Sequence, residues 1–576
     1  MARSPLPPQR LPQWARPLLG VGFALGLALA GQSPARSQAA QNPVLEIGVV
    51  QRFGAEATET LILEPLAGDQ ITLRFETNGQ PETVTTTRVV VETAPRSLPE
   101  PQLQEWVVLS THRSFESAED SAQQWRQRGI ETEIAQPGSW QVWAKREVYD
   151  TPMLRRLLID SLQAEGHDEV FLDSRLNQSV PQAAVIANGY RYNRDRVQIA
   201  TQNQRLRVTR NIGDRQDSVR LYGGNAQLQP NAYGTYTLVN LVPIETYLRG
   251  VVPYEIGLGA PRTTIEAQAI LARTYVLRNL RRFEIDDYQL CADTQCQVYF
   301  GLSGSAEISD RAIAATRGLV LTYQGELVDA LYSSNAGGVT AAFSDVWNGP
   351  DRPYLRPVVD SVRNVWDLSA RPLSHEDNLR AFLALDQGFN EETWRTFRWQ
   401  EDSSLTQLTQ DLKRYLQTRQ HPRANFTTIQ RIQVRDRAAS GRVQKLDVGT
   451  DVGVITLEKD EIIRAFSAPL SLLFYLGGLY ETTPEGQRLT GYRFIGGGFG
   501  HGVGMSQTGA YNLGALNWPS DRILQFYYPG TELRPISNDL VFWRDPNQRA
   551  AGSAATDAPE PTTATDDAPA TEMAPQ

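Results

Sequence analysis

The sequence predicts an α+β protein, and three stretches carry that prediction. Residues 45–95 alternate apolar and polar side chains in short runs punctuated by Gly and Pro, which is typical of β-strands. Residues 106–171 alternate strand-like runs with amphipathic helical runs, and residues 236–282 predict a strand followed by a helix with an apolar stripe. At 576 residues the chain is too long for one ordinary domain, so we expect several parts.

The composition excludes several classes of protein. The chain is 41% hydrophobic and 21% charged, which is typical of globular proteins and not of disordered chains or polytopic membrane proteins. Its 56 basic and 65 acidic residues give a net charge of −9. This charge disfavours nonspecific nucleic-acid binding, which needs a basic surface to displace counterions. With 2 Cys residues, stability must come from buried cores.

Residues 1–39 have the pattern of a secretory signal peptide. Arg3, Arg10 and Arg16 precede an apolar run from Leu18 to Ala30, and small residues follow it. The run is about 13 residues long, short of the ~20 that cross a bilayer, although an uncleaved anchor is the alternative. We therefore expect an extracytoplasmic protein, in the periplasm or cell wall, with no membrane span after signal cleavage.

The rest of the chain divides into a front and a back. We expect a β-rich segment at 40–100 and a small α+β module at 101–180. The module distantly resembles the SPOR domain, which binds glycan strands lacking stem peptides, although any small α+β subdomain would give a similar pattern. Residues 546–576, rich in Ala, Thr, Pro and acidic residues, predict a disordered tail.

Glu255 lies in an apolar stretch just before a predicted helix. Thr263 and Glu266 have the spacing of a capping box, which predicts that the helix starts there. A carboxyl group at such a position would be partly desolvated, which raises its pKa and suits a general acid. The alternative is a Glu that pairs with a nearby Arg or caps backbone amides.

Several blocks of the back half resemble the SpoIID/LytB family. They occur in family order across residues 185–540, with a predicted helical insertion at about 366–425. The main blocks are Tyr247-Leu-Arg-Gly-Val-Val-Pro-Tyr-Glu255, Ile265-Glu-Ala-Gln-Ala-Ile-Leu-Ala-Arg-Thr-Tyr275, Cys296-Gln-Val-Tyr-Phe-Gly301, Ser334-Asn-Ala-Gly-Gly338 and Gly498-Phe-Gly-His-Gly-Val-Gly-Met-Ser-Gln-Thr-Gly-Ala510.

The resemblance implies a SpoIID-type catalytic domain that acts on peptidoglycan. Some members are lytic transglycosylases, which cut the MurNAc-GlcNAc bonds of peptide-stripped glycan strands and leave 1,6-anhydro ends. Others are described as enhancers of an N-acetylmuramoyl-L-alanine amidase without clear chemistry of their own. The implied partners are glycan strands and, for an enhancer, a cell-wall amidase. A third reading is a structural wall-binding protein whose front module does the binding. We expect no cofactor.

The family's catalytic glutamate falls on Glu255. Ordinary glycosidases need two carboxyl groups, whereas a lytic transglycosylase takes its nucleophile, the C6 hydroxyl of muramic acid, from the substrate. One Glu could therefore act first as acid and then as base. No second carboxylate has a comparable motif, and we expect Glu245 and Glu266 to be surface and capping positions.

The other motif residues are expected to shape a substrate groove. Glycine permits a close backbone approach to a sugar chain or a tight turn. A structural ion pair is the alternative for Arg273, and a role in fixing the loop is the alternative for His501 and Gln507. Tyr254, Tyr299 and Trp347 could stack on sugars, although buried aromatics are commoner. The substrate-binding candidates are Arg273, Gly337, Gly338, His501, Ser506 and Gln507.

The two cysteines depart from some relatives. Cys291 and Cys296 lie too close together, with too few other ligands, for a tetrahedral zinc site. Some family members bind zinc here through His residues, but the corresponding positions are Ile285 and Gln295. In an exported protein we therefore expect a Cys291–Cys296 disulfide and no metal. Another departure is Ser333, where many relatives carry His.

Overall fold

The computed structural model describes residues 42–419, 421–484 and 486–544. The expected signal peptide at 1–39 and disordered tail at 546–576 lie outside these residues. The described chain is a mixture of helices and several sheets, so the predicted α+β class is confirmed. Across the described ranges, no helix combines the length and apolarity that a membrane crossing requires.

The helices and strands are numbered in chain order. The helices are α1 Phe115–Gln127, α2 Pro152–Ala164, α3 Ile244–Leu248, α4 Val252–Ile256, α5 Arg262–Arg278, α6 Glu307–Ala315, α7 Glu376–Leu383, α8 Leu405–Thr418, α9 Glu461–Ala465, α10 Gln507–Ala515 and α11 Ser520–Tyr527. The strands are β1 Val44–Phe53, β2 Glu59–Pro65, β3 Ile71–Thr77, β4 Gln80–Thr86, β5 Val89–His112, β6 Thr132–Ala135, β7 Trp140–Ala144, β8 Phe171–Ala187, β9 Tyr190–Asn193, β10 Val197–Thr201, β11 Arg205–Ile212, β12 Arg215–Gln216, β13 Arg220–Gly223, β14 Asn225–Pro230, β15 Tyr236–Pro243, β16 Leu290–Cys291, β17 Leu319–Tyr323, β18 Glu326–Leu327, β19 Tyr332–Ser333, β20 Trp399–Ser404, β21 Ile429–Arg437, β22 Val443–Thr450, β23 Gly453–Glu458, β24 Phe474–Thr483, β25 Gly486–Gly496, β26 Met505–Ser506 and β27 Glu532–Pro535.

Two large sheets organise the first half of the chain. The first has the order β16-β1-β15-β14-β10-β3-β4, and the second has the order β12-β11-β2-β5-β7-β6 with β8 beside β5. Early strands pair with much later ones, since β1 pairs with β15, β3 with β10 and β2 with β11. The strands β5 and β8 run across the expected boundaries at 100 and at 180–185. The β-rich segment completes the sheets of the body that also holds Glu255.

Residues 101–180 form a module that is inserted into this body. Its elements follow the order βαββαβ, and its strands lie in the order β8-β5-β7-β6 with antiparallel neighbours. The strands β5 and β8 are long because they serve both units, and they pair from Val90 opposite Ile186 to Val108 opposite Phe171. The module is thus carried on two strands that are continuous with the body.

Ion pairs and aromatic packing hold the module against the body. Arg281 donates to both carboxylate oxygens of Glu119 at 2.6 and 2.8 Å, and Arg282 pairs with Glu116. Phe283 packs on Trp140 of the module, with ring centroids 5.2 Å apart. All three body residues lie just after α5, so the module is fixed beside the end of that helix.

The helix α5 is the centre of the body and is buried along most of its length. It begins at Arg262 after Pro261, so the predicted capping box is wrong. The hydroxyl of Thr263 has no hydrogen-bond partner among the described residues. Glu266 pairs instead with Arg262 at 2.8 Å. Pro261 has the fixed φ that suits a chain entering a helix, and it starts the helix two residues early.

The insertion at 366–425 is only partly helical. It contains α7 and α8, as predicted, but also the strand β20, which pairs with β25 in a three-stranded sheet. Between these elements, a loop carries the buried side chains of Glu391 and Arg398 toward the glycine-rich blocks. The insertion is therefore part of the body and not an appendage.

Candidate functional site

A cavity of about 400 Å³ opens where the module meets the body. We call it the Glu255 cleft. The body contributes the carboxyl group of Glu255, the loop after the second Cys and the glycine-rich block, while the module contributes the start of α1. Its lining residues include Arg113, Glu116, Glu255, Val298, Tyr332, Phe499, His501 and Gln507.

Glu255 is half-buried in the short helix α4, ahead of α5. The backbone N–H of Val298 donates to its Oε1 at 2.8 Å, and the side chain of Tyr332 also bonds to the carboxyl group. Burial raises the pKa of Glu255 to about 6, and these two hydrogen bonds offset only part of the effect. The expected desolvated carboxyl is therefore present, and its pKa suits proton transfer near neutral pH.

Gln507 supports the backbone of Glu255. Its Nε2 donates to the carbonyl oxygen of Glu255 at 2.8 Å and to Oε1 of Gln268 at 3.4 Å. Tyr511 donates from the same helix, α10, to the carbonyl oxygen of Ile256 at 2.5 Å. The sequence left two roles open for Gln507, which were contact with substrate and a role in fixing the loop. These hydrogen bonds are those of a residue that fixes the loop. The residue still lines the cleft.

Tyr332 is a site residue that the sequence reasoning missed. Its hydroxyl accepts from Nε2 of Gln297 at 3.1 Å, and Gln297 accepts from the hydroxyl of Tyr247 at 3.2 Å. Burial raises the pKa of Tyr332 well above its ordinary value, so the hydroxyl remains a donor to Glu255. The one feature of the sequence that could have indicated Tyr332 is its position just before the Ser334-Asn-Ala-Gly-Gly338 block.

His501 lies in the cleft with its ring against Trp347, with centroids 5.0 Å apart. Its Nδ1 accepts from the N–H of Val503 at 3.0 Å. Burial lowers the pKa of His501 to about 4, so the ring is neutral at pH 7. Phe499, two residues earlier, is 47% exposed at the cleft. It is a better candidate for stacking on a sugar than Tyr299, which is fully buried and bonded to Asn240.

The expected groove residues Ser506, Gly337 and Gly338 lie beneath the cleft. Ser506 is fully buried, its hydroxyl donates to Glu391, and it caps α10 by accepting from Gly509 N at 3.1 Å. Gly337 has φ +73°, and an added Cβ would lie 2.6 Å from the carbonyl carbon of Gly497. An added Cβ on Gly338 would lie 2.9 Å from the ring of Phe389. Gly337 thus allows two backbones to touch and Gly338 makes room for an aromatic ring, so both face protein and not the cleft.

Glu391 joins the backbone segments that lie beneath the cleft. Its Oε1 accepts from the N–H of Ala336 at 2.6 Å, and its Oε2 accepts from the N–H of Gly338. Asp360 lies beside Glu391, and burial together with the charge of Glu391 raises the pKa of Asp360 well above its ordinary value. Burial also raises the pKa of Glu391, so the two neighbouring carboxyl groups do not readily carry charge together.

Arg273 also lies away from the cleft. Its side chain is 0% exposed, and its Nε and Nη2 donate to the two carboxylate oxygens of Glu245 at 2.8 and 2.9 Å. Its Nη1 donates to the carbonyl oxygen of Leu319 at 3.0 Å. The structural ion pair is the correct alternative, and Glu245 is not a surface residue. The expected substrate contact of Arg273 is corrected, because no part of its guanidinium faces the cleft.

Cys291 and Cys296 are joined by a disulfide, with Cα atoms 5.7 Å apart. Cys296 lines the cleft, two residues before the Val298 amide that binds Glu255. The disulfide therefore closes the loop that presents this amide. Among the described residues there is no group of three or more His, Cys, Asp or Glu side chains that could hold a metal ion. Ser333, at the other departure from the family, accepts from Gly502 N at 3.1 Å.

Two family models match parts of the chain that contribute to this site. A family model described as stage II sporulation protein, SpoIID, matches residues 232–323, which hold Glu255, α5 and the disulfide loop. This match, together with the relatives below, supports an assignment of the chain to the SpoIID/LytB family. A second model, a domain of unknown function named DUF8618, matches residues 341–504. Those residues hold the insertion and the start of the glycine-rich block.

Similar proteins come from several bacteria. The chain is 28% identical over 359 residues to the amidase enhancer of Bacillus subtilis, covering 55% of this chain and 48% of that protein. It is 26% identical over 307 residues to an uncharacterized protein of Brachyspira hyodysenteriae, covering 52% and 68%. It is 24% identical over 311 residues to stage II sporulation protein D of B. subtilis, covering 51% and 75%. The match thus spans about half the length of the amidase enhancer.

The ion pair between Arg273 and Glu245 should contribute strongly to stability. In the variant Arg273→Met, the carboxylate of Glu245 stays mostly buried without its partner, so we expect a loss of about 3 kcal/mol in the free energy of unfolding. Arg262→Met is the matched control, because Arg262 is 73% exposed in its pair with Glu266 on the same helix. We expect that control to change stability by less than about 1 kcal/mol in urea unfolding. Equal effects of the two substitutions would contradict the assignment.

The raised pKa of Glu255 predicts a pH-dependent cost of burying its charge. The folded pKa of about 6 exceeds the ordinary value of 4.5, so the folded chain loses stability as the pH rises from 4.5 to 6 and does not regain it above 6. Glu255→Gln should therefore be more stable than the parent by about 1–2 kcal/mol at pH 7.5 and equal to it at pH 4. Urea unfolding at both pH values measures this, with the exposed Glu401→Gln as the charge control. A Glu255→Gln chain that is less stable at pH 7.5 would refute the prediction.

Proposed function

We propose that the protein is an exported peptidoglycan lytic transglycosylase with Glu255 as its general acid and base. Its substrate would be a peptide-stripped glycan strand, cut between MurNAc and GlcNAc. The observation that carries the proposal is one half-buried carboxyl group with a pKa of about 6 at the wall of a cleft. Matches to the family model and to stage II sporulation protein D support it.

One carboxyl group balances the proposed reaction. Glu255 gives its proton to the glycosidic oxygen while the bond from that oxygen to C1 of muramic acid breaks. The C6 hydroxyl of the same sugar attacks C1, and the Glu255 carboxylate accepts the hydroxyl proton. A 1,6-anhydro end forms, and the carboxyl group returns to its protonated state. No water is consumed, so the site needs no second carboxylate to activate water.

The charges around the cleft favour this mechanism over hydrolysis. Of the residues that line the cleft, Glu255 and Glu116 are the acidic ones. Glu116 pairs with Arg282, whose side chain is 3% exposed, so its carboxylate is engaged in holding the module. A glycosidase with two free carboxyl groups would need Glu116 to break this pair.

A second candidate function is a non-catalytic enhancer of a cell-wall amidase. The observation that favours it is the match to the amidase enhancer of B. subtilis. A glycan-binding protein could keep the same cleft, with neutral His501 and exposed Phe499 as sugar contacts. For either function, we propose an extracytoplasmic location. The βαββαβ order of the module is compatible with a SPOR-like glycan-binding unit.

Product analysis separates the two functions. The parent chain and Glu255→Gln are each incubated with peptide-stripped glycan strands, and the soluble fragments are analysed by mass spectrometry. We expect 1,6-anhydromuramic ends from the parent and a rate at least about 100-fold lower from the variant, because general acid catalysis contributes on this scale. Glu401→Gln, which removes an exposed carboxylate, should cut like the parent. Reducing ends would indicate a hydrolase instead, and binding without cleavage by the parent would favour the enhancer.

The pH profile should report the hydrogen bond between Tyr332 and Glu255. The protonated form of Glu255 is the active acid, so kcat/KM should fall about tenfold per pH unit above a break near pH 6. The Tyr332 hydroxyl lowers the pKa of Glu255, so Tyr332→Phe should move the break to higher pH. Tyr511→Phe is the control, because that hydroxyl bonds to the backbone of the same helix and not to the carboxyl group. An unmoved break in Tyr332→Phe would contradict the role of this hydrogen bond.

A further inference from the structure

A second cavity shares lining residues with the Glu255 cleft. The second cavity has a volume of about 320 Å³ and is lined by residues of α8 and α9, including Arg414 and Tyr415. Arg113 and Arg464 line both cavities and therefore lie at their junction. Arg113 belongs to the module and Arg464 to the body, so the junction exists only because the module is docked.

Arg113 has hydrogen-bonding capacity that the protein does not use. Its guanidinium carbon lies 4.2 Å from the centroid of the Tyr415 ring, and its buried Nε has no hydrogen-bond partner among the described residues. Within the same residues it forms no ion pair with a carboxylate, whereas Arg282 in the same cleft is paired with Glu116. A buried guanidinium donor without an acceptor is unfavourable unless a ligand supplies one.

On the other side of the junction, a long ion pair only weakly neutralises the charge of Arg464. Its Nε lies 3.7 Å from Oδ2 of Asp460, and its side chain is 50% exposed. Burial raises the pKa of Asp460 to about 6, with the nearby charges of Glu461 and Glu116 adding to the effect and those of Arg464 and Arg113 opposing it. Near pH 6 the partner of Arg464 is therefore only partly ionised. The junction carries net positive charge that is available to an anion.

We propose that Arg113 and Arg464 form a subsite for a carboxylate of the glycan strand. The inference rests on the proposed function for the identity of the strand. A peptide-stripped strand carries a free lactyl carboxylate on each muramic acid, and an attached stem peptide converts that carboxylate into an amide. Guanidinium groups bind carboxylates through charge-assisted hydrogen bonds, which an amide oxygen forms more weakly. The module thereby selects strands that have lost their peptides.

The contacts that dock the module also fix the position of Arg113. Arg113 follows the end of β5 and precedes Ser114, whose hydroxyl caps α1 by accepting from Ser117 N at 3.3 Å. Glu116 and Glu119, in the first turns of α1, are the residues that pair with the body. The ion pairs that dock the module therefore lie within two turns of the arginine that they place at the junction.

Binding measurements on a full chain that does not cut test the subsite. The Glu255→Gln chain is titrated with peptide-stripped strands and with the same strands after their carboxylates are converted to methylamides. We expect the methylamide strands to bind about tenfold more weakly. Adding Arg113→Gln or Arg464→Gln should weaken binding of the free-carboxylate strands about tenfold and leave the methylamide strands unaffected, since the lost contact is specific for the carboxylate. Arg215→Gln, an exposed arginine on β12, should change neither affinity.

The outcomes distinguish this inference from the proposed function. Equal affinity of the Arg113→Gln chain and its parent for free-carboxylate strands overturns the subsite, as does an equal loss on both kinds of strand. If selectivity for the carboxylate is present and lost on substitution, but the unsubstituted chain cuts no strand, the subsite stands and the transglycosylase fails. Absence of binding to either strand overturns both. Unchanged thermal unfolding of each variant verifies that the loss is local.

Discussion

The cleft depends on one buried carboxylate, that of Glu391. Two backbone amides and one hydroxyl, from Ala336, Gly338 and Ser506, converge on its two oxygens. Glu391 thereby ties the turn after β19 to the start of α10, which in turn holds the backbone of Glu255 through Gln507. A buried charge is stable only when its hydrogen bonds are complete, so each of these donors is required for the others to stay in place. These hydrogen bonds hold two glycine-rich segments together at positions where the sequence suggested residues of a substrate groove.

Two carboxyl groups in this body have opposite roles because their surroundings differ. Glu391 accepts hydrogen bonds from two backbone N–H groups and from the hydroxyl of Ser506, so its carboxyl group holds loops together, and burial raises its pKa. Glu255 receives one backbone N–H and one hydroxyl, and burial raises its pKa to about 6. A carboxyl group with fewer donors exchanges its proton more easily near neutral pH, and this is the property an acid–base catalyst needs. The two differ in donors and in exposure, since Glu391 is fully buried and accepts three hydrogen bonds, whereas Glu255 is half-buried at the cleft and accepts two.

The sequence revealed the parts of the site that depend on local pattern. The apolar stretch around Glu255 indicated a desolvated carboxyl group, although its choice as the catalytic candidate came from the family resemblance and the predicted helix cap was wrong. The spacing of Cys291 and Cys296 favoured a disulfide over zinc. The positions that failed depend on contacts between distant segments. Arg273 meets Glu245 only when α3 packs against α5, and Ser506 meets Glu391 across more than a hundred residues. Likewise, a strand pattern at 45–95 cannot reveal that β1, β2 and β3 each pair with a strand beyond residue 190, because register is set by the shared core.

The module is fixed to the body, which distinguishes it from a binding domain on a flexible linker. A tethered glycan-binding unit would move independently of the cleft and raise only the local concentration of substrate. Here β5 and β8 continue from the body into the module, and the Arg282–Glu116 pair is almost completely buried. Movement of the module would expose that pair and separate Arg113 from Arg464, so the energetically favoured state is the closed junction. The module therefore forms one wall of the cleft, and under the proposed function it would contact the same strand that reacts at Glu255.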